Sequence, residues 1–145
     1  MTPSITIRPP TAKDADAIAD LLSQLGYPAT TSDVIARLAR VELSCDALTL
    51  VADIDGRAVG VVTAHLFTSI HATSNVAWLT TLVVDHEHRH AGIGRQLVAA
   101  AEAWAALHGA PRISVSSGTH RDDAHAFYHS AGYEQTGIRL TRSLV

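Results

Sequence analysis

The sequence predicts a mixed α/β domain of the α+β kind, a central sheet with helices packed on it, and three observations carry that prediction. Apolar residues recur with a period of two in some segments and at helical spacing in others, and the two kinds interleave along the chain. The 145 residues suffice for one domain, expected to span 1–145, that buries about 70% of the surface its unfolded chain exposes. Aromatic residues make up only 5% of a chain that is 47% hydrophobic, so the core is expected to be aliphatic.

The first strand is "SITIRPP", which alternates and is closed by Pro9 and Pro10. "TAKDADAIADLLSQLG" follows as a helix: Thr11 and Asp14 stand in capping-box spacing, Ala15, Ile18, Leu22 and Leu25 share a face, and Gly26 stops it. "TTSDVIARLARVE" repeats that logic, with Thr31 or Ser32 as cap and Val34, Leu38 and Val41 as the stripe. In "ALTLVADIDGRAVGVVTAHLF" two β-branched runs flank Asp55-Gly56, a hairpin signal. "NVAWLTTLVVD" supplies a fourth strand ending at Asp85. From Gly92, Ile93, Leu97, Ala101 and Trp104 recur at helical spacing until Gly109 and Pro111 end the pattern. "RISVSS" reads as a strand, "DDAHAFYHSAG" as a helix stopped by Gly132, and "GIRLTRSLV" as a closing strand. The expected order is therefore β, α, α, β, β, β, α, β, α, β.

Charge and composition exclude several classes. A formal charge of -3 lacks the basic excess that neutralising a phosphate backbone requires, so nucleic acid is not expected as a partner. No stretch approaches the roughly 20 apolar residues that span a bilayer, and the N-terminus has no leader pattern. A cytoplasmic protein without a membrane partner is expected. The lone Cys45 admits neither an intrachain disulfide nor a cysteine cluster, and reads as core filler.

The chemistry concentrates at "HEHRHAGIGRQLV", where glycines meet a helix start. A helix N-terminus presents unpaired N–H groups and the positive end of its dipole, which favours anions. Glycines there let a diphosphate approach the backbone, and Arg89 adds a cation suited to phosphate oxygens. Leu97 stands where a dinucleotide fingerprint needs its third glycine, and no Lys-Ser/Thr ending makes this a Walker loop. A phosphorylated cofactor of another kind is favoured.

"LVVDHEHRHAGIGRQLV" followed by "AHAFYHSAGY" resembles the GNAT acetyltransferase superfamily, whose signature is a strand, an R/Q-x-x-G-x-G/A turn, a helix, and later an A-x-x-F/L-Y-x-x-x-G-F/Y helix. The resemblance implies a mixed central sheet of six to seven strands flanked by about four helices, with the fourth and fifth strands splayed into a notch. It implies acetyl-CoA as co-substrate and N-acetylation of a primary amine, on a small molecule or a peptide. Pantetheine would lie along Leu82, Val83 and Val84, with Leu82 offering a backbone N–H to the oxyanion. The diphosphate would sit at His90, Ala91, Gly92, Ile93, Gly94 and Arg95 beside Arg89. Tyr128 matches the tyrosine that protonates the leaving sulfur, its ordinary phenol pKa being about 10. Arg121 replaces an asparagine of the family pattern and is expected to reach a phosphate. Tyr27 and Trp78 are expected to line the acceptor pocket, and the last strand to pair between two copies in a homodimer.

Where many members place a glutamate on the fourth strand, "NVAWLTTLVV" has no carboxylate. Glu42, Asp46, His65, His71 and water remain as bases, and direct attack by the amine is the implied route. A non-catalytic acyl-CoA-binding module is the rival reading. A histidine metal protein ranks behind it: His86, His88 and His90 would point one way on a strand, and His125 and His129 lie one helical turn apart near Asp122. No metal is expected.

Overall fold

The computed structural model describes residues 4–117 and 121–145. The chain divides into two units, Met1–Ser114 and Val115–Val145. The elements are β1 (Thr6–Arg8), α1 (Ala15–Leu25), α2 (Thr31–Glu42), β2 (Ala47–Ile54), β3 (Arg57–Phe67), β4 (Val76–Val84), α3 (Ile93–Leu107), β5 (Ile113–Val115) and α4 (Asp122–Ser130).

Local chemistry explains the helix starts. The Asp14 carboxylate accepts from the Thr11 N–H at 2.7 Å, as the capping-box spacing predicts, and a 3₁₀ turn over Ala12–Asp14 leads into α1. The cap of α2 is one residue earlier than expected. Thr30 caps it, its hydroxyl accepting from the Asp33 N–H at 3.0 Å while the Asp33 carboxylate accepts from the Thr30 N–H at 3.1 Å. The carboxylate three residues on selects Thr30 over Thr31 or Ser32. Arg8 of β1 then ties three elements together. Its Nη1 and Nη2 donate to Asp14, each at 2.8 Å, and its Nε donates to Asp53 of β2 at 2.8 Å. That guanidinium holds the buried Asp14 carboxyl below the usual carboxylate range, against the opposing effect of burial.

The sheet runs in the order β1-β2-β3-β4-β5, with the β1–β2, β2–β3 and β3–β4 pairs antiparallel. Five strands, not the six to seven of the family expectation, are present among the described residues. The missing one is the closing strand: residues 134–145 form no ladder, and Ile138, Leu140 and Leu144 are exposed. An alternating stretch becomes a strand only when another edge supplies partners for its backbone, and none does so among the described residues. Cys45 is exposed rather than core filler, because it falls in the turn between α2 and β2.

A β-bulge in β4 decides which residues face which layer. Thr63 pairs with Thr81 but Ala64 pairs with Leu79, so Thr80 is the extra residue. Past it the faces exchange. Val83 packs with Val51 and Val61 against Ala15, Ile18, Leu21 and Val34 of α1 and α2, whereas Ala77 packs with Leu66 against Ala105 of α3. The side chains of Thr80 and Thr81 are thereby brought to the α1/α2 side. On the other side α3 comes close to β3 over Gly60, where an added Cβ would meet Leu97 Cδ1 at 3.0 Å and Ile93 Cγ2 at 3.4 Å. In the second unit, Tyr128 packs edge-on against Phe127 and Tyr133, with centroids 5.3 and 5.5 Å away.

Candidate functional site

The site begins where β4 ends. The Asp85 N–H donates to the Val59 carbonyl of β3 at 2.8 Å. Because backbone groups alternate along a strand, those of Val83 also face β3, and those of Leu82 and Val84 face the opposite edge. The Val84 carbonyl there accepts from Arg89 Nε at 3.3 Å. The backbone groups of Leu82 and Val84 thus lie along the edge of β4 away from β3. Val83 is turned the other way, its side chain buried in the core.

Beyond Asp85 the chain makes a 3₁₀ turn over His86–His88. The three histidines are therefore not on a strand and do not project in one direction. His88 Nδ1 lies 2.8 Å from Asp85 Oδ2, so this imidazole braces the turn. Gln24, near the end of α1, binds the same segment: its Nε2 donates to Asp85 Oδ1 at 2.7 Å and its Oε1 accepts from the His86 N–H at 3.0 Å. Hydrogen bonds from Gln24 foremost, and then from His88, hold the Asp85 carboxyl below the usual range. Among the described residues no three His, Cys, Asp or Glu side chains gather where they could hold a metal ion.

The backbone then turns left-handed at His90 (φ 64°) and again at Gly92 (φ 81°), the residue that caps α3. Gly92 has no side chain to accept from the first N–H groups of α3, which have no partner within the helix. A Cβ built on Gly92 would meet no atom within 4 Å. The opening is thus lined by backbone donors, with Arg89 beside it, and Ile93 buried beneath anchors the first turn. Ala91 and Arg95 are exposed and Gly94 is half-buried. This set suits an anionic group carrying several oxygens, such as a diphosphate.

A cavity of about 490 Å³ lies on the α1/α2 side of the sheet. Its floor includes Thr49, Thr63, His65, Thr80 and Thr81, and its walls include Ile18, Leu22, Arg37, Leu38 and Arg40. The Thr63 and Thr80 hydroxyls are 2.7 Å apart, and Thr80 Oγ1 is 3.4 Å from His65 Nδ1. Of the four side chains weighed as bases, His65 lines this cavity and Glu42, Asp46 and His71 do not. Tyr27 and Trp78 are also outside its lining. Tyr27 is exposed after α1, with its N–H bonded to the Leu22 carbonyl, and Trp78 is half-buried opposite His65 in the β3–β4 register. Sequence reasoning missed Arg37, Arg40 and the threonines. Two successive threonines in the otherwise apolar "WLTTLVV" were the available signal.

In the second unit, burial pushes the Tyr128 phenol up to about 12 while the charge of Arg121 pulls it the other way. The Ser117 hydroxyl is buried with no hydrogen-bond partner among the described residues.

Comparison with known proteins bears on the family and the fold. The model of the acetyltransferase (GNAT) family matches residues 15–133. An aminoalkylphosphonate N-acetyltransferase of Salmonella typhimurium is 31% identical over 147 residues, covering 98% of this chain and 93% of that protein. An aminoglycoside N(6')-acetyltransferase type 1 of Stenotrophomonas maltophilia is 30% identical over 135 residues, covering 90% of this chain and 87% of that protein. Among solved structures, an aminoglycoside N-acetyltransferase in complex with CoA superimposes with a TM-score of 0.86 at 19% identity, covering 100% of this chain and 98% of the other. At that identity the likeness is one of fold.

Proposed function

The chain belongs to the acetyltransferase (GNAT) family, and on that premise we propose that it is an acetyl-CoA-dependent N-acetyltransferase whose acceptor amine attacks the thioester directly. One observation carries the reading. β4 presents backbone groups of Leu82 and Val84 along one edge and hydroxyls of Thr80 and Thr81 into a cavity on one face. A donor site and an acceptor site would thus share one strand. The relatives' activities on aminoalkylphosphonates and aminoglycosides support a small-molecule amine as acceptor.

Acetyl-CoA supplies the activated acetyl group as a thioester. The N–H groups from His90 to Arg95 would hold its diphosphate, with Arg89 beside them and Arg121 as a further cation. The backbone groups of Leu82 and Val84, on the edge of β4 away from β3, would pair with the pantetheine amides, while the Val83 side chain packs into the core. The Leu82 N–H is the proposed donor to the carbonyl oxygen as charge develops there.

On the acceptor side, the apolar wall of Ile18, Leu22 and Leu38 would limit the water around the amine. The amine must shed a proton to attack. No carboxylate is among the described lining residues, and His65, reached through Thr80, is the side chain we assign to take that proton. Tyr128 is the proposed donor to the leaving sulfur. With its pKa pushed up to about 12, well above a thiol's ordinary value of about 8.5, the phenol acts as a hydrogen-bond donor to the developing thiolate more than as a strong acid.

Calorimetric titration with acetyl-CoA, with NAD and ATP as controls, tests the donor side, and thiol release over a panel of amines tests turnover. Binding of acetyl-CoA alone with amine-dependent thiol release is expected. Binding without turnover on any amine would favour a non-catalytic acyl-CoA-binding module.

A further inference from the structure

The acceptor cavity carries charge that acetyl transfer itself does not need. Attack on a thioester calls for a neutral amine and a place for its proton. Two guanidiniums serve neither purpose, and near the nucleophile they repel a second ammonium group on the acceptor. Yet Arg37 and Arg40 both line the cavity wall. They are three residues apart on α2 and so leave the helix from the same side. Asp33, one turn before Arg37, has its carboxylate engaged by the Thr30 N–H and also feels the charge of Arg37, but it is not among the residues that line the cavity. No Asp or Glu is among the described residues lining the cavity, so nothing in that lining offers a counter-charge to a polycation.

We infer that the acceptor is a small amine that also carries an oxyanion, with the oxyanion held by Arg37 and Arg40 and the amine directed to Thr80 and His65 beside β4. The inference rests on the acetyltransferase reading and adds the class of acceptor. A guanidinium fork matches the oxygens of a phosphonate, phosphate or carboxylate. Threonine hydroxyls on the floor add neutral donors, and the cavity volume of about 490 Å³ suits a small molecule. The same arrangement selects against polycationic amines, whose extra ammonium groups would find two like charges and no carboxylate in the described lining.

The test compares four acceptors of similar size: 2-aminoethylphosphonate, β-alanine, propylamine and 1,3-diaminopropane. The expected result is a kcat/KM at least about 10-fold higher for one of the two anionic amines than for propylamine, with the diamine lowest. Which anion is preferred identifies the oxyanion. In the R37Q/R40Q double variant the preferred anionic substrate should lose about 100-fold in kcat/KM, chiefly through KM. The ratio to propylamine should then approach one, and R37K/R40K should recover part of it. Both arginines are exposed, so the fold does not depend on them. Equal use of propylamine or the diamine by the unaltered enzyme, or a preference that survives R37Q/R40Q, overturns the inference and leaves the acetyltransferase reading standing. Binding of N-acetyl-2-aminoethylphosphonate or N-acetyl-β-alanine is measured separately by calorimetry. Binding that is lost in R37Q/R40Q, with no turnover of any amine, supports the anion subsite and overturns the acetyltransferase reading instead. The absence of both binding and turnover of the anionic compounds overturns the inference.

Discussion

Gly92 and Gly109 stand at the two ends of α3 with φ of 81° and 82°, and at both an added Cβ would meet no atom within 4 Å. Alanine at either position therefore brings the same backbone strain and no clash within the protein. The left-handed conformation costs an L-residue about 1–2 kcal/mol, partly offset by about 0.4–1 kcal/mol because alanine restricts the unfolded chain. A net loss of about 1 kcal/mol corresponds to a melting temperature lower by about 2–4 °C. The two variants should thus be destabilised alike. They should differ in acetyl-CoA affinity, because the Gly92 methyl would enter the proposed diphosphate cradle and the Gly109 methyl lies at the far end of the helix. Displacing even one charge-assisted hydrogen bond removes about 1.5–3 kcal/mol, a loss of about 10- to 100-fold in Kd. Differential scanning calorimetry and titration with acetyl-CoA measure the two quantities on the same samples. Equal Kd values for Gly92→Ala and Gly109→Ala would refute the cradle, whatever the melting temperatures.

Tyr128→Phe should lower kcat by about 100-fold with acetyl-CoA affinity unchanged, read by thiol release and calorimetry, and a kcat within twofold of the unaltered enzyme would remove the tyrosine from the mechanism. Since burial pushes this phenol up to about 12, it stays protonated below that value, and kcat should show no alkaline loss from Tyr128 between pH 7 and roughly pH 10. Asp14→Asn breaks the fork from Arg8, whose side chain is 27% exposed against 5% for Asp14, and should cost about 2–3 kcal/mol at pH 7. Because the Asp14 carboxyl is held below its ordinary value, that contribution is complete above the unfolded carboxylate range near pH 4 and fades as pH falls through the folded value. Urea denaturation at pH 7 and pH 3 should therefore show the gap between the two proteins narrowing in acid, and a constant gap would contradict the linkage.

What the sequence could disclose depended on how local the cause was. The Thr11–Asp14 cap, the Asp55-Gly56 turn and the glycine stop of α1 arise from neighbouring residues, and all are legible at their spacing. The strand, the left-handed turn at Gly92 and the helix start of the proposed cradle were legible for the same reason, since they form one continuous segment. The closing strand was not, because pairing depends on an edge supplied from elsewhere. The cavity proposed for the acceptor was hidden for a further reason. Period-two reading assigns each residue of "NVAWLTTLVVD" to a face by parity, but the extra residue at Thr80 reverses parity midway. Without the bulge Trp78 and Thr80 would share a face with Leu82, and Thr81 would follow Ala77 and Leu79 toward α3. With it, both threonines turn toward α2, where Arg37 and Arg40 line the same cavity. A single inserted residue in β4 thus brings the threonine hydroxyls to the proposed acceptor side while the backbone of Leu82 and Val84 stays on the proposed donor edge, which is how one strand would serve both substrates.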